Sequence, residues 1–200
     1  MSEREKNGLG RLLAGVLRHF PEKFGVEMDI NGWVNSGELC DAIKKERKYY
    51  HWLKPWHLKV IASTDAKGRY QADDNKVRAT YGHSVEIEID LPTDDIPEVL
   101  FYPVEQDDVA AVLKLGIFSG DRKHVHLSKT VERAYEAGSV RIKGPAIIEV
   151  DATRAIADGH TIYQAGTTVY LVEEMPPDYL FRVLNDDPEL LEAIANSEEE

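Results

Sequence analysis

Leu9, Leu12, Leu13, Val16 and Leu17 recur at i, i+3, i+4, i+7 and i+8, the apolar stripe of an amphipathic helix. Pro21 sets its limit, so Arg18 and His19 fall in the last turn, where cations complement the helix dipole. Asn31-Gly32 marks a turn before the short apolar pair Trp33-Val34. Ser36 is a suitable N-cap for a second helix running through Lys45, and 55–63 suits a third, with Trp56, Leu58, Val60 and Ile61. Two strand-like segments, 69–72 and 76–81, flank a turn at Asp73-Asp74-Asn75. Three helices followed by a hairpin is the element order of a winged-helix module, which presents a helix and the wing to nucleic acid. A small α+β packing lobe without a ligand would read the same way.

From residue 85 the period changes to 2. Val85, Ile87 and Ile89 alternate with Glu86, Glu88 and Asp90, which predicts a half-buried strand. Further strands are expected at 99–102, 124–128, 146–150 and 167–172, with helices over 109–115, closed by Gly116, and over 129–137. Strands and helices do not alternate strictly, so the expected class is α+β rather than a doubly wound sheet. The chain divides on this reading into a lobe over 1–86, a second over 87–185 and an acidic tail over 186–200, solvated and frayed.

Composition narrows this picture. Of 200 residues, 42% are hydrophobic, enough for a real core, which excludes global disorder. No apolar run approaches the roughly 20 residues of a membrane span, and the first residues lack the apolar stretch of a signal peptide. The chain is expected to be a cytoplasmic monomer with no membrane partner. Its one cysteine, Cys40, excludes an internal disulfide and a cysteine-cluster zinc site. The net charge of −12 weighs against nucleic acid, but it is unevenly spread. Residues 1–86 carry 15 Lys/Arg against 12 Asp/Glu, or +3; residues 87–200 carry 9 against 24, or −15. Two lobes with different partners would account for that asymmetry.

No dinucleotide fingerprint, P-loop or nucleophile elbow is present. Cys40 lies on an apolar run within the second helix and reads as a structural thiol. His124 and His126 share one face of a strand, but no third ligand stands at zinc spacing, so no metal site is expected. What remains is a set of Arg and His residues near turns: Arg18-His19, Arg69, Arg78, His83-Ser84, Arg122 and the His124–Ser128 stretch. The planar guanidinium fork gives bidentate charge-assisted bonds to phosphate. An Arg-rich, carboxylate-poor site suits phosphoryl chemistry on an anion, although arginines also scatter over ordinary surfaces.

The order Leu17-Arg18-His19, Asn31-Gly32-Trp33-Val34, Lys67-Gly68-Arg69-Tyr70, Tyr81-Gly82-His83-Ser84 and Arg122-Lys123-His124-Val125-His126-Leu127-Ser128 resembles the KptA-type RNA 2′-phosphotransferases. Val169-Tyr170-Leu171 and Pro176-Pro177-Asp178-Tyr179-Leu180 fit the same pattern, which spans nearly the whole chain. The resemblance implies a winged-helix lobe followed by an ADP-ribosyltransferase-like lobe. It implies removal of an internal 2′-phosphate from tRNA-like RNA with NAD as co-substrate. The implied catalytic set is Arg18, His19, Arg69 and Arg122; His83, Ser84, His124, His126 and Ser128 are implied to bind NAD. Members of the family often carry His-Gly-Thr where this chain has Tyr102-Pro103-Val104. That departure implies a weaker grip on NAD, because the imidazole, the hydroxyl and one backbone N–H are missing. Two other functions stay open on the residues: ADP-ribosyl transfer to a terminal phosphate of RNA or DNA, and nucleic-acid binding without catalysis.

Overall fold

The computed structural model describes residues 1–120 and 122–198. It is mixed α and β with antiparallel sheets, and it divides into two compact units. The division falls after Leu91, beyond the change of hydrophobic period, and Arg122 and Lys123 cluster with the first unit.

The first unit opens with α1 (Glu3–Arg18), whose N-terminus is closed by reciprocal bonds between Ser2 and Glu5. The predicted stripe is its core face: Leu9, Leu13, Val16 and Leu17 are fully buried. Next come β1 (Val34–Asn35), α2 (Ser36–Glu46), α3 (Pro55–Thr64) and the hairpin β2 (Tyr70–Asp73) and β3 (Lys76–Ala79). The N-cap of α2 is Asn35, not Ser36: its Oδ1 accepts from the amides of Gly37 at 2.8 Å and Glu38 at 3.1 Å. Ser36 is instead buried, its amide donating to the Asn75 carbonyl at the hairpin turn. The three strands run in the order β1-β3-β2. Leu39, Cys40 and Ile43 of α2, Leu58 and Ile61 of α3, and Val77 of β3 complete one core with α1. Burial pushes the Cys40 thiol up to about 11, so it is an inert packing residue.

The expected strand over 85–90 does not form. Its side chains do alternate in exposure, but its backbone pairs with a turn rather than a ladder. Glu88 donates its amide to the Ile30 carbonyl at 2.8 Å, and its own carbonyl accepts from Asn31 Nδ2 at 3.0 Å. Alternation reports which side faces the core; it does not supply a neighbouring strand.

The second unit contains β4 (Val99–Val104), α4 (Val109–Leu115), β5 (Ile117–Phe118), β6 (Val125–Ser128), α5 (Val131–Ser139), β7 (Ala146–Asp151), α6 (Ala152–Ala157), β8 (Tyr163–Gln164), β9 (Val169–Val172), β10 (Glu174–Met175), β11 (Leu180–Arg182) and α7 (Pro188–Glu198). Its main sheet runs β11-β7-β4-β6-β9-β8, and β5 pairs with β10 apart from it. Leu100, Ile148, Val150, Leu127 and Tyr170 fill one core; Phe101, Ile147 and Tyr135 fill another under α5 and α7. Tyr102-Pro103-Val104 forms the end of β4, paired to Ile148, Ile147 and Ala146 of β7. Gly138 of α5 sits directly against it: a Cβ there would lie 2.5 Å from Cβ of Pro103.

Most of the expected tail is structure. Asp187 caps α7, its Oδ1 accepting from the amides of Glu189 at 2.9 Å and Leu190 at 3.2 Å, and Pro188 occupies the first helical position. Leu190 and Ala193 are buried against α5. The overlooked signal is Asp-Pro followed by apolar residues at 190, 193 and 194. Glu199 and Glu200 lie outside the described residues. Leu190→Ala is expected to cost about 2–3 kcal/mol in urea denaturation; an unchanged midpoint would mean the helix does not pack in solution.

Candidate phosphate-binding site

Arg18 is the last residue of α1, and the segment after the hairpin buries it. Gly82, at φ +85°, carries the chain beneath the guanidinium; a Cβ there would lie 3.3 Å from Arg18 Nη1. The Tyr81 ring makes a second contact, its centroid 4.9 Å from Arg18 Cζ. Arg18 Nε and Nη2 are both buried, with no hydrogen-bond partner among the described residues. Burial lowers the guanidinium pKa from the ordinary arginine value; Tyr70 and Tyr81 oppose that, and the charges of Arg69 and Arg122 add to it. A partly buried cation with two idle donor nitrogens beside two more cations is suited to hold an anion.

His19 caps the same helix. Its Nδ1 lies 3.0 Å from Ser84 Oγ, and that hydroxyl reaches the Arg18 carbonyl at 3.4 Å. With the hydroxyl donating to the carbonyl, Ser84 accepts from Nδ1–H, which leaves the Nε2 lone pair available. Burial, then the charges of Arg18 and Arg122, hold the imidazole pKa below its ordinary value of 6.5, so His19 is neutral at pH 7. The Ser84 amide also donates to the Arg18 carbonyl, at 2.9 Å, and the Val85 amide at 3.3 Å.

Arg69 is fixed by Asp65, a residue sequence reasoning missed. Nε and Nη2 of Arg69 approach Asp65 Oδ1 at 3.0 and 2.5 Å, and the Arg69 amide donates to Oδ2 at 2.6 Å. Burial works against the Asp65 carboxylate, but the Arg69 side-chain and backbone bonds outweigh it and hold its pKa below the usual range. The available signal is Asp-x-x-Gly-Arg: the Gly68 amide returns to the Asp65 carbonyl at 2.9 Å, with Gly68 at φ +63°.

The remaining expected residues fall into two groups. Arg122 is exposed and joins Arg18 and His19 electrostatically. His83 is buried beside Gly32, and its carbonyl meets the Lys123 amide at 3.5 Å. Arg18, His19, Arg69, His83, Ser84 and Arg122 thus belong to one unit. His124, His126 and Ser128 belong to the other. Burial lowers the His124 pKa, with Glu173 opposing. His124 precedes β6 rather than lying in it, and His126 Nδ1 is 2.9 Å from the His124 carbonyl. Ser128 is buried and pairs with Phe101 and Val169. Among the described residues, no group of three or more His, Cys, Asp or Glu side chains stands ready for a metal ion.

Arg78 shows what a structural arginine looks like in the same unit. It is buried, donates twice to Gln71 Oε1 and also to the Asn31 carbonyl, pairs with Asp90, and lies over the Trp33 ring. Arg78→Met is therefore expected to cost about 3 kcal/mol, since it strands these acceptors. Arg18→Met removes an uncompensated buried charge and is expected to stabilise the chain by about 1 kcal/mol. Urea denaturation of both variants checks this; equal losses would show that Arg18 is held as Arg78 is.

The family of the RNA 2′-phosphotransferases, Tpt1 / KptA family, matches residues 3–174. The chain is similar to the probable RNA 2′-phosphotransferase of Methanosarcina barkeri, at 39% identity over 92% of this chain and 86% of that protein. It is 38% identical to the probable RNA 2′-phosphotransferase 1 of Archaeoglobus fulgidus, over 87% of this chain and 79% of that protein. The corresponding Aeropyrum pernix protein is 30% identical over 88% and 79%. With a match that runs from α1 to β10, the chain belongs to the Tpt1 / KptA family of RNA 2′-phosphotransferases and is a transferase.

Proposed function

We propose that this transferase removes an internal 2′-phosphate from tRNA-like RNA using NAD+ as co-substrate. The observation that carries the proposal is the partly buried Arg18 guanidinium, whose buried Nε and Nη2 are idle, beside Arg69, Arg122 and a neutral His19. Arg69 keeps its Asp65 partner, while Arg18 offers Nε and Nη2 without one among the described residues. A phosphate monoester carries about −1.5 to −2 at pH 7, so it gains more from charge-assisted bonds to guanidinium donors than a diester's single charge does.

In this reading an oxygen of the RNA 2′-phosphate attacks C1″ of the nicotinamide ribose, and nicotinamide departs as a neutral base. No general acid is required; the difficulty is holding two anions at bonding distance, which the guanidinium groups meet. The ribose 2″-OH then attacks phosphorus, and the bond to the RNA 2′ oxygen breaks. His19 Nε2 takes the proton from the 2″-OH and returns it to the RNA 2′ oxygen. The products are 2′-OH RNA, nicotinamide and ADP-ribose 1″,2″-cyclic phosphate. The element order α1, α2, α3 and hairpin supports reading the first unit as a winged-helix RNA-binding lobe. The second is read as the ADP-ribosyltransferase-like lobe, with His124, His126 and Ser128 toward NAD; His83 and Ser84 complete that assignment.

Incubation of a 2′-phosphorylated oligoribonucleotide with and without NAD+ is expected to give 2′-OH RNA only with NAD+. The activity is expected to survive EDTA, because guanidinium groups meet the phosphate charge here. A persistent ADP-ribosyl adduct on a terminal phosphate would assign the alternative transfer reaction, and absence of nicotinamide release would overturn both.

The rate is expected to fall as pH drops through a midpoint below 6.5, since His19 acts in its neutral form and its pKa is lowered. The substrate monoester itself titrates near about 6, so His19→Asn is the comparison. It should be slower by roughly 10²-fold and should lack the His19 part of the acid limb. An identical pH profile in that variant would remove His19 from proton transfer.

A further inference from the structure

Beside Arg69 the first unit carries a cleft of about 470 Å³, lined by α1 and by the turn joining α3 to β2. Lys6, Arg11, Lys67 and Arg69 line it, along with Asn7 and Thr64. Its lining carboxylate, Asp65, is committed to Arg69. Lys6, Arg11 and Lys67 form no ion pair among the described residues, whereas Lys44, Lys76 and Lys123 each meet a carboxylate. The cleft therefore has a one-signed field that nothing in its wall neutralises.

Its direction follows from the helix. Arg11 and Arg18 are seven residues apart, close to two full turns, so both leave α1 along one stripe. The separation along the axis is about 10 Å at 1.5 Å per residue. That is roughly three backbone steps of a nucleic-acid strand at its 3.4 Å axial spacing. Asn7, four residues before Arg11, extends the stripe by another turn; Lys6 lines the same cleft, and Lys67 and Arg69 face it from the α3–β2 turn.

We propose that this cleft is a track for the phosphodiester backbone of the RNA strand that brings the 2′-phosphate to Arg18. The inference rests on the activity proposed above and adds to it: the enzyme reads strand length on one side of the modified nucleotide, through charge and without base contacts. Asn7 and Thr64 offer neutral hydrogen-bonding groups along the same wall. Single-stranded backbone fits because no paired helix is needed to present phosphates along the cleft.

The test uses the full chain and 2′-phosphorylated oligoribonucleotides: a trinucleotide, and a longer strand extended on either the 5′ or the 3′ side. The wild type is expected to bind the strand extended on one side roughly 10- to 100-fold more tightly than the trinucleotide. Lys6→Ala/Arg11→Ala/Lys67→Ala is expected to lose most of that gain. Its plot of log affinity against log salt should flatten by about 2, from three single-strand phosphate contacts at about 0.7 each. Lys45→Ala/Lys48→Ala/Lys59→Ala makes the same change of net charge on exposed positions away from the cleft and is expected to keep the length gain. Arg11→Gln alone is expected to lose part of it, which keeps the test open if the triple variant does not fold. If the wild type removes 2′-phosphate but gains nothing with length, the track is wrong. It is also wrong if the cleft variant keeps the gain or the control loses it equally. If no 2′-phosphorylated RNA is bound or processed at all, the proposed activity fails, and the track with it.

Discussion

The first unit depends on how the C-terminus of α1 is finished. A helix leaves its last carbonyls without partners, and here the Arg18 carbonyl collects the amides of Ser84 and Val85. That capping binds the segment after the hairpin to the end of the first helix, more than sixty positions earlier in the chain. It also fixes the chemistry. With residues 82–85 pinned there, Gly82 and Tyr81 bury the Arg18 guanidinium, and Ser84 orients the His19 ring. The capping of the backbone and the positioning of two polar side chains are one arrangement, so a change that loosens the cap also loosens the site.

Arg18 and Arg78 illustrate two uses of the same side chain. Both are drawn into the protein, and both face an aromatic ring. Arg78 spends its donors on Gln71, Asn31 and Asp90 and holds a turn to the hairpin. Arg18 leaves donors idle beside like charges, an arrangement that lowers stability and raises the capacity for an anion. Arg69 lies between these cases: Asp65 fixes its direction while its charge still acts on Arg18.

Much of this was legible in the chain, and the failures have physical causes. The stripe from Leu9 to Leu17 located α1, and the hairpin and most strands of the main sheet lie near their expected places. The candidate site residues stood out through ordered short motifs, because composition treats Arg18 and Arg78 alike; only their partners separate them. Val85–Asp90 misled because burial alternates there without a ladder. Helix α7 was hidden by acidic residues taken as solvated, although Asp187 is a cap. Asp65 was missed because its importance lies in a turn that closes on the residue four positions later.

Gly138 of α5 is held to glycine by the prolines packed against it. A Cβ at 138 would lie 2.5 Å from Cβ of Pro103 and 3.0 and 3.1 Å from Cγ and Cβ of Pro145, so no side chain fits there between the two proline rings. Any residue with a Cβ at 103 meets the same contact, and replacing Pro103 by glycine alone leaves Pro145 against position 138. The sequence of α5 is thus constrained at 138 by a strand remote from it in the chain.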